Sequence, residues 1–421
     1  MKRTDLHQKL QVQYPNKQGY GIEKGPPPSL ENVWFVIPPP LSEEAPFGLS
    51  VSLLRKANEI LGSLQKFEAL TDFDRLVLGL LVKREALQSS RMEGTFSTID
   101  QLLTPRDQIN RKEKSAQASV IAYAHVLEKS FSLASKEGPQ IFTEDLLRKL
   151  HVEMMSRDPE FRGKAGLFRD EVGKNNYATI GGLNRPENST YNPVPPKYLR
   201  KCLKQNLDWM KDEDSLEMSR AGLGPGLVVR MAKGHWHFEA IHPFADGNGR
   251  VGRILMVLYM VSEGLAPLYI SGYIEAKKKD YYLSLQAAQM KCDEAPLVHF
   301  LCKAIIESYE EAEKTKEALV SLPDSWVKKG NFRQGSASLR ALKVILENPI
   351  LSVKLLEKRL KISQPAAKRA IDQLCDARIL RERTGMGRNR IFAAEEVIEL
   401  LARPFGESTV IALERAASLL G

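Results

Sequence analysis

Cysteine is scarce in this 421-residue chain: Cys202, Cys292, Cys302 and Cys375 are its four, scattered and without a C-x-x-C pair. That spacing fits reduced thiols better than a disulfide framework. No apolar run approaches the ~18 residues that a membrane-spanning helix needs, and no basic-then-apolar leader opens the chain. A soluble protein of the cytoplasm is expected. The phosphate-cradling pattern G-x-x-x-x-G-K-[ST] is missing too, because the two Gly-Lys pairs run into Ala165 and Asn175. Strands and helices do not alternate along the chain, which removes the doubly wound α/β folds. Helical spacing dominates instead, as in Leu53, Leu54, Ala57 and Leu61, or Leu76, Val77, Leu80 and Leu81. A mainly α protein is expected, long enough for two or three cores.

What is present is concentrated in one stretch, His242-Pro243-Phe244-Ala245-Asp246-Gly247-Asn248-Gly249-Arg250-Val251-Gly252-Arg253. The apolar run from Ile254 to Val261 follows it and reads as a helix. A Gly/Asn turn opening a helix aims several N–H donors at one point. The helix dipole adds partial positive charge there, so the segment suits an anion. Arg250 and Arg253 share a helical face and are placed to grip successive phosphates. Asp246 is a hard oxygen donor suited to Mg²⁺. An ordinary imidazole titrates near ~6.5, so His242 suits proton acceptance. Each of these residues alone also reads as a helix cap, a surface charge or a loop residue; the constellation does not. Gly247-Asn248-Gly249-Arg250-Val251-Gly252 fits G-x-G-x-x-G as well, but Pro243 breaks the strand that a dinucleotide fingerprint requires.

The stretch resembles the signature of the Fic family, H-P-F-x-[DE]-G-N-G-R-x-x-R, and matches every fixed position. The resemblance implies a protein adenylyltransferase, which moves AMP from ATP to a Tyr, Thr or Ser hydroxyl of a protein and releases pyrophosphate. It implies that His242 deprotonates the acceptor and that Asp246 holds Mg²⁺ against the α- and β-phosphates. Gly247, Asn248 and Gly249 form the anion nest, and Arg250 and Arg253 hold the β- and γ-phosphates. Doc-type relatives, which transfer phosphate, carry Lys at the position of Gly249, so that subtype is not implied. A Fic-type helical core with a short β-hairpin flap is expected. The resemblance runs from roughly Pro39 to Ala312.

Ser89-Ser90-Arg91-Met92-Glu93-Gly94 resembles the family's inhibitory pattern, [ST]-x-x-x-E-[GN]. Ser89 and Glu93 share a helical face, and Gly94 is a natural helix stop. The resemblance implies that Glu93 pairs with Arg253 and keeps the γ-phosphate from seating. Phe168-Arg169 through Gly182 resembles the flap, with Thr179, Ile180 and Gly181 facing the nucleotide. Tyr191-Asn192-Pro193-Val194-Pro195-Pro196 resembles its exit. A hairpin edge there suits alignment of an acceptor segment by strand addition, although composition alone reads it as a surface turn. Family position places Tyr281 and Gln289 against adenosine; packing is the alternative role. His235 and His237 do not match a zinc spacing and read as helix residues behind the motif.

The chain is expected to divide into an extended proline-rich arm (1–40), a helical region with the inhibitory pattern (41–116), a catalytic core (117–320), a linker (321–337), a small domain (338–405) and a terminal helix (406–421). In the small domain Ser352–Leu360 reads as a helix, Lys361-Ile362-Ser363 as a turn and 364–377 as a second helix. A hairpin follows around Gly385-Met386-Gly387. This order resembles a winged helix-turn-helix. Between Ser352 and Ile391 eleven basic residues face four acidic ones, most of the chain's excess of +9, which favours phosphate backbones. Gln364, Lys368 and Arg369 are the base-reading candidates; Arg388 and Arg390 are the backbone candidates. A protein-interaction module is the other reading of this domain. The tail is expected to be dispensable for the chemistry, since both motifs lie upstream of it.

Two functions stand on this reading. One is an adenylyltransferase using ATP and Mg²⁺ on a protein target, the chain itself included, with a homodimer and DNA as further partners. The other is a DNA-binding regulator that senses nucleotide. The presence of a base at His242 favours the enzyme.

Overall fold

In the computed structural model the chain forms two compact units, one built from 1–69 and 125–307, the other from 70–124 and 308–421. All residues are described except 27, 105–110, 159, 174–175, 183–184, 222–223 and 386–389, with only the helical backbone described at 111–116 and 219–220. The elements in chain order are strands β1 (Gly21–Lys24) and β2 (Trp34–Ile37), and helices α1 (Val51–Ser63), α2 (Asp72–Met92), α3 (Ile99–Leu103), α4 (Arg111–Glu137), α5 (Glu144–Met155), α6 (Arg169–Val172), α7 (Leu199–Lys211) and α8 (Glu213–Arg220). Helices α9 (Leu227–Ile241), α10 (Asn248–Ser262), α11 (Ser271–Ala276), α12 (Lys278–Lys291), α13 (Ala295–Gly330) and α14 (Ala337–Glu347) follow. The chain closes with β3 (Ile350–Ser352), α15 (Val353–Leu360), α16 (Gln364–Asp376), β4 (Arg381–Glu382), β5 (Ile391–Ala393), α17 (Glu395–Ala402) and α18 (Thr409–Leu420). The protein is mainly helical, as its periodicity requires.

The first unit is organised around α9 and α10. Both are apolar on nearly every side, the mark of a helix enclosed by others. Every residue from Val228 to Ile241 is buried, and α10 is buried apart from Gly249. The two cations that α9 takes inside are satisfied. Arg230 bonds Tyr259 Oη, the Trp209 carbonyl and Glu43, and Lys233 bonds the carbonyls of Ser42 and Glu44. The arm is not simply extended, as its prolines suggest. Val33 to Ile37 is an apolar, β-prone run, and it pairs as β2 with β1, Ile22 opposite Val36. Phe35, Val36 and Ile37 are buried. On its other edge β2 meets the flap exit, where Val36 N–H donates to the Asn192 carbonyl at 3.0 Å and Asn192 Nδ2 to the Trp34 carbonyl at 2.7 Å.

In the second unit Thr71 caps α2, and its hydroxyl and Asp74 exchange hydrogen bonds in a capping box. Further along α2, Arg84 donates to the Arg403 carbonyl at 3.0 Å and pairs with Glu311 at 2.8 Å, which also takes Arg403 at 2.7 Å. The tail builds a three-stranded antiparallel sheet in the order β3-β5-β4 beside α14, α15 and α16. Helix α17 packs on α2 and α3. The expected linker is largely helix: α13 continues through Pro323 to Gly330, and only 331–336 connect it to α14. Proline inside a helix removes one hydrogen bond; burial of Leu319, Leu322 and Trp326 holds the helix across it. The units also cut across the expected boundaries, since α1 belongs with the first and α2 with the second.

Candidate active site

The motif is a loop between two buried helices, and its backbone is bonded almost throughout. Helix α9 ends at Ile241, and His242 caps it in the left-handed region, φ 51° and ψ 63°, its N–H donating to the Phe238 carbonyl at 2.9 Å. A side chain larger than glycine there costs on the order of 1–3 kcal/mol and persists only where its surroundings impose it. Arg169 bonds the backbone on both sides of it. Its Nε donates to the His242 carbonyl at 2.7 Å, its Nη2 to Ile241 at 3.0 Å, and its backbone N–H to Pro243 at 2.8 Å. Asn248 closes the next turn: Nδ2 donates to the Phe244 carbonyl and Oδ1 accepts from the Phe244 N–H, both at 2.9 Å. His151 takes the end of the loop. Gly166 N–H donates to its Nδ1 at 2.8 Å, so Nε2 carries the proton and donates to the Asp246 carbonyl at 3.1 Å. The ring stacks on Phe244 with centroids 3.9 Å apart. Burial pushes the His151 imidazole down to about 4, which keeps it neutral for this task.

Gly247 is glycine for two reasons. It sits at φ 79°, and a Cβ there would lie 2.8 Å from Met155 Sδ. Its N–H donates to Asp246 Oδ1 at 2.6 Å. The side chain of Asp246 is otherwise exposed beside the start of α10. Asn248, Gly249 and Arg250 form the first turn of α10, whose N–H groups have no partner within the helix. Arg250 is buried and pairs with the equally buried Asp158 at 2.6 Å. Arg253 is buried one turn on. Between them Gly252 admits Glu239, whose Oε1 would lie 2.3 Å from a Cβ. Glu239 Oε2 lies 3.9 Å from His242 Nδ1.

The flap forms as a single bridge. Ile180 N–H donates to the Tyr191 carbonyl at 2.8 Å, and Thr190 N–H to the Ile180 carbonyl at 2.7 Å. Thr179 and Ile180 are half-buried, and Gly181 turns the chain at φ 74° with its surface open. Tyr281 and Gln289 are both buried. Tyr281 favours the packing alternative, because its hydroxyl is taken by His235 Nε2 at 2.7 Å and its ring lies against Tyr282 and Phe300. His235 and His237 are enclosed behind the motif, and burial pushes both down to about 3. Among the described residues no group of three or more His, Cys, Asp or Glu is placed to hold a metal ion.

Ser89 is fully buried in the last turns of α2, which ends at Met92; Glu93 is its C-cap and Gly94 leaves it at φ 82°. On α16 the side chains Gln364, Lys368 and Arg369 are exposed opposite buried Ala367, Ala370, Ile371 and Leu374. Arg388 lies outside the described residues. Arg390, expected at a phosphate backbone, is engaged within the hairpin instead. It pairs with Glu382 and lies over the Phe392 ring. Arg381 and Arg383 both bond buried Glu395, and Arg383 also bonds Asp100. The counted excess of cations is therefore partly neutralised by acids from outside the counted stretch.

Sequence reasoning missed His151, Asp158 and Glu239, and saw Gly252 only as part of the motif and Arg169 only as the start of the flap. His151 left one signal, a lone histidine on the apolar face formed by Leu147, Leu150 and Met154.

Residues 141–260 match the model of the Fic/DOC family, and residues 51–132 match that of the Fic/DOC family N-terminal region. The chain thus carries a Fic/DOC domain and a Fic/DOC N-terminal region. The chain is similar to "Protein adenylyltransferase fic-1" of Caenorhabditis briggsae, 31% identical over 192 residues, and to that of Caenorhabditis elegans, 30% identical over 187 residues. These matches cover 45% and 44% of this chain but only 32% of either relative, about a third of its length. A solved Fic family protein from Desulfovibrio desulfuricans G20 covers 83% of this chain and 98% of its own, at 20% identity and a TM-score of 0.49. Among the described residues no helix is long and apolar enough to cross a membrane.

Proposed function

We propose that this protein transfers AMP from ATP to a hydroxyl side chain (Tyr, Thr or Ser) of a protein. The observation that carries the reading is the loop itself: an imidazole fixed in a left-handed cap, a carboxylate and the open start of a helix share one braced backbone. The acceptor oxygen attacks the α-phosphorus while its proton passes to the His242 imidazole. The bond from the α-phosphorus to the oxygen bridging to the β-phosphorus breaks, and pyrophosphate leaves with that electron pair. The N–H groups of Asn248 and Gly249 and the guanidinium of Arg253 hold the phosphates. Arg250 is already paired with Asp158 and contributes direction more than net charge. Mg²⁺ fits at Asp246, because magnesium is bound through one or two carboxylates plus substrate phosphates and not by an all-protein cage. Bound there, it would neutralise charge on the pyrophosphate leaving group. Four cysteines without a disulfide suit a reducing compartment, and we place the protein in the cytoplasm. Covalent adenylate on protein after incubation with ATP tests the reading; reversible nucleotide binding alone would sink it.

The segment Ser89–Gly94 serves in this reading as a restraint. The carboxylate of Glu93 and the γ-phosphate compete for Arg253, as the family resemblance implies. The packing of α17 on α2 alters one expectation. Removing Ser338 onward strips α17 and Arg403 from α2, leaving Arg84 and Glu311 without their shared partner. Losing one member of a buried charge network costs about 3–5 kcal/mol. Truncation is therefore expected to loosen α2 and raise adenylate transfer. Transfer at the full-length rate would show that the tail does not support the restraint.

A second reading, nucleic-acid binding by the tail, is favoured by one observation. Lys354, Lys358, Arg359, Lys361, Lys368, Arg369 and Arg378 are exposed on or beside α15 and α16, and none of them makes an ion pair among the described residues. The helix, turn, helix and hairpin suit a winged helix-turn-helix whose second helix enters the major groove. Replacing Lys368 and Arg369 together by Ala should lower the salt slope of DNA binding by about two, since each neutralised phosphate contributes about 0.9. Arg390→Ala should change it less, because its charge is already met by Glu382. A salt titration by mobility shift checks this; equal slopes for all three proteins would leave the protein-interaction reading.

A further inference from the structure

Arg169 is one of the most deeply buried cations in the chain, yet no carboxylate is bonded to it among the described residues. Every hydrogen bond of its guanidinium goes to a backbone carbonyl. Nε and Nη2 take His242 and Ile241, at the end of α9. Nη1 takes Asn176 at 3.1 Å, and Nη2 also takes Val194 at 2.8 Å. Asn176 and Val194 bracket the flap, one on each side of the Ile180–Tyr191 bridge. A single planar fork thus ties three chain segments together.

A lysine, with one charged nitrogen, does not match this geometry, because the acceptors lie in several directions around a plane. A neutral side chain of the same reach would bond the carbonyls less strongly than a charged donor does. Burial pushes the Arg169 guanidinium down to about 10, still charged at neutral pH. The arginine is itself held in place by its neighbours. Phe168, the residue before it, has the guanidinium groups of Arg148 and Arg200 against its ring, 4.2 Å and 4.7 Å from the ring centre. Glu171 accepts from Arg148 in a two-pronged bond at 2.8 Å and from the Phe168 N–H at 2.9 Å. The contact with Arg148 holds the Glu171 carboxyl well below the usual range, at about 2, so this support stays ionised.

We propose that Arg169 is a positioning residue that joins both ends of the flap to the left-handed backbone of His242, fixing the distance between the base and the surface that presents the acceptor hydroxyl. This rests on the adenylyl-transfer reading. Arg169 does not touch nucleotide. It acts through His242 on one side and through the flap on the other, so its loss affects the reaction step and leaves ATP affinity in place. A displacement of about 1 Å between reacting groups costs roughly a hundredfold in rate.

The test uses the full chain carrying Glu93→Gly, and compares Arg169→Lys with Arg230→Lys in that background. Arg230 is as deeply buried in the same unit but bonds Tyr259, Trp209 and Glu43, none of them in the motif. Arg169→Lys should lower kcat for AMP transfer about a hundredfold and leave KM for ATP near that of the Glu93→Gly protein. Arg230→Lys should lower thermal stability without that loss in kcat. Hydrogen exchange gives a second readout: the amides of 177–180 and of His242 and Phe244 should speed up together in Arg169→Lys. Unchanged kcat, an equal loss in both variants after correction for the folded fraction, or faster exchange in the flap alone would each overturn the proposal. If Arg169→Lys does not fold, Arg169→Gln takes its place, and collapse of both while Arg230→Lys folds would assign Arg169 to folding alone and overturn it. Absence of transfer in the Glu93→Gly protein itself would instead reject the adenylyl-transfer reading.

Discussion

The His242→Ala variant is expected to bind ATP as the parent does and to lose AMP transfer almost completely. In the proposed reaction the phosphates are held by the first turn of α10, by Arg250 and Arg253 and through Asp246, none of which depends on the imidazole, and the imidazole acts on the acceptor. Removing a positioned base costs roughly a hundredfold to ten-thousandfold in rate. The change is also mild for the fold, because alanine removes a half-buried ring and leaves the carbonyl that Arg169 holds. Nucleotide affinity by calorimetry and adenylate incorporation by mass spectrometry separate the two effects. Parent-rate labelling by His242→Ala would exclude the imidazole as the base. A loss of ATP affinity equal to the loss of rate would move His242 from proton transfer to substrate binding.

The second large effect is expected at Glu93. Glu93→Gly should raise adenylate incorporation, on the chain itself or on its target, by about tenfold to a hundredfold. The size is that of one hydrogen bond to a charged partner, about 1.5–3 kcal/mol, which the proposed restraint would have to give up. The substitution should cost little stability. Glu93 is the C-cap of α2, at φ −93°, with an exposed side chain and a left-handed glycine after it. A glycine at that point interrupts no helical turn. The rise should appear in kcat/KM for ATP, because the competitor is the γ-phosphate. Equal rates in parent and variant would remove the restraining role of this segment, and a lower rate would make Glu93 part of the working site.

The parts of this protein that were legible in its sequence are those whose signal is periodic or local. Ala367, Ala370, Ile371 and Leu374 announce the buried face of α16, and all four are buried. The Gly/Asn turn before an apolar run announces the start of α10. Gly94 announces the end of α2. What stayed hidden has a common cause. Arg169 and His151 act on backbone carbonyls, which leave no side-chain pattern to read. The hairpin arginines are met by Glu382 and Glu395 nearby and, for Arg383, by Asp100, 283 residues away, so a count of charges overstates what the tail offers to a phosphate backbone. The prolines of the arm drew attention from the strand between them, and Pro323 marked a break where burial of Trp326 keeps α13 continuous.

The central claim is that ATP is cleaved between the α- and β-phosphates and that AMP stays on protein. Its most direct test is a paired count on the Glu93→Gly protein with ATP and Mg²⁺: adenylate bound to protein by intact mass, and pyrophosphate released into solution. The two are expected to rise together, one for one, and both to vanish in the protein that also carries His242→Ala. Release of ADP or inorganic phosphate with no adenylate on protein, or tight ATP binding with neither product, would contradict the claim.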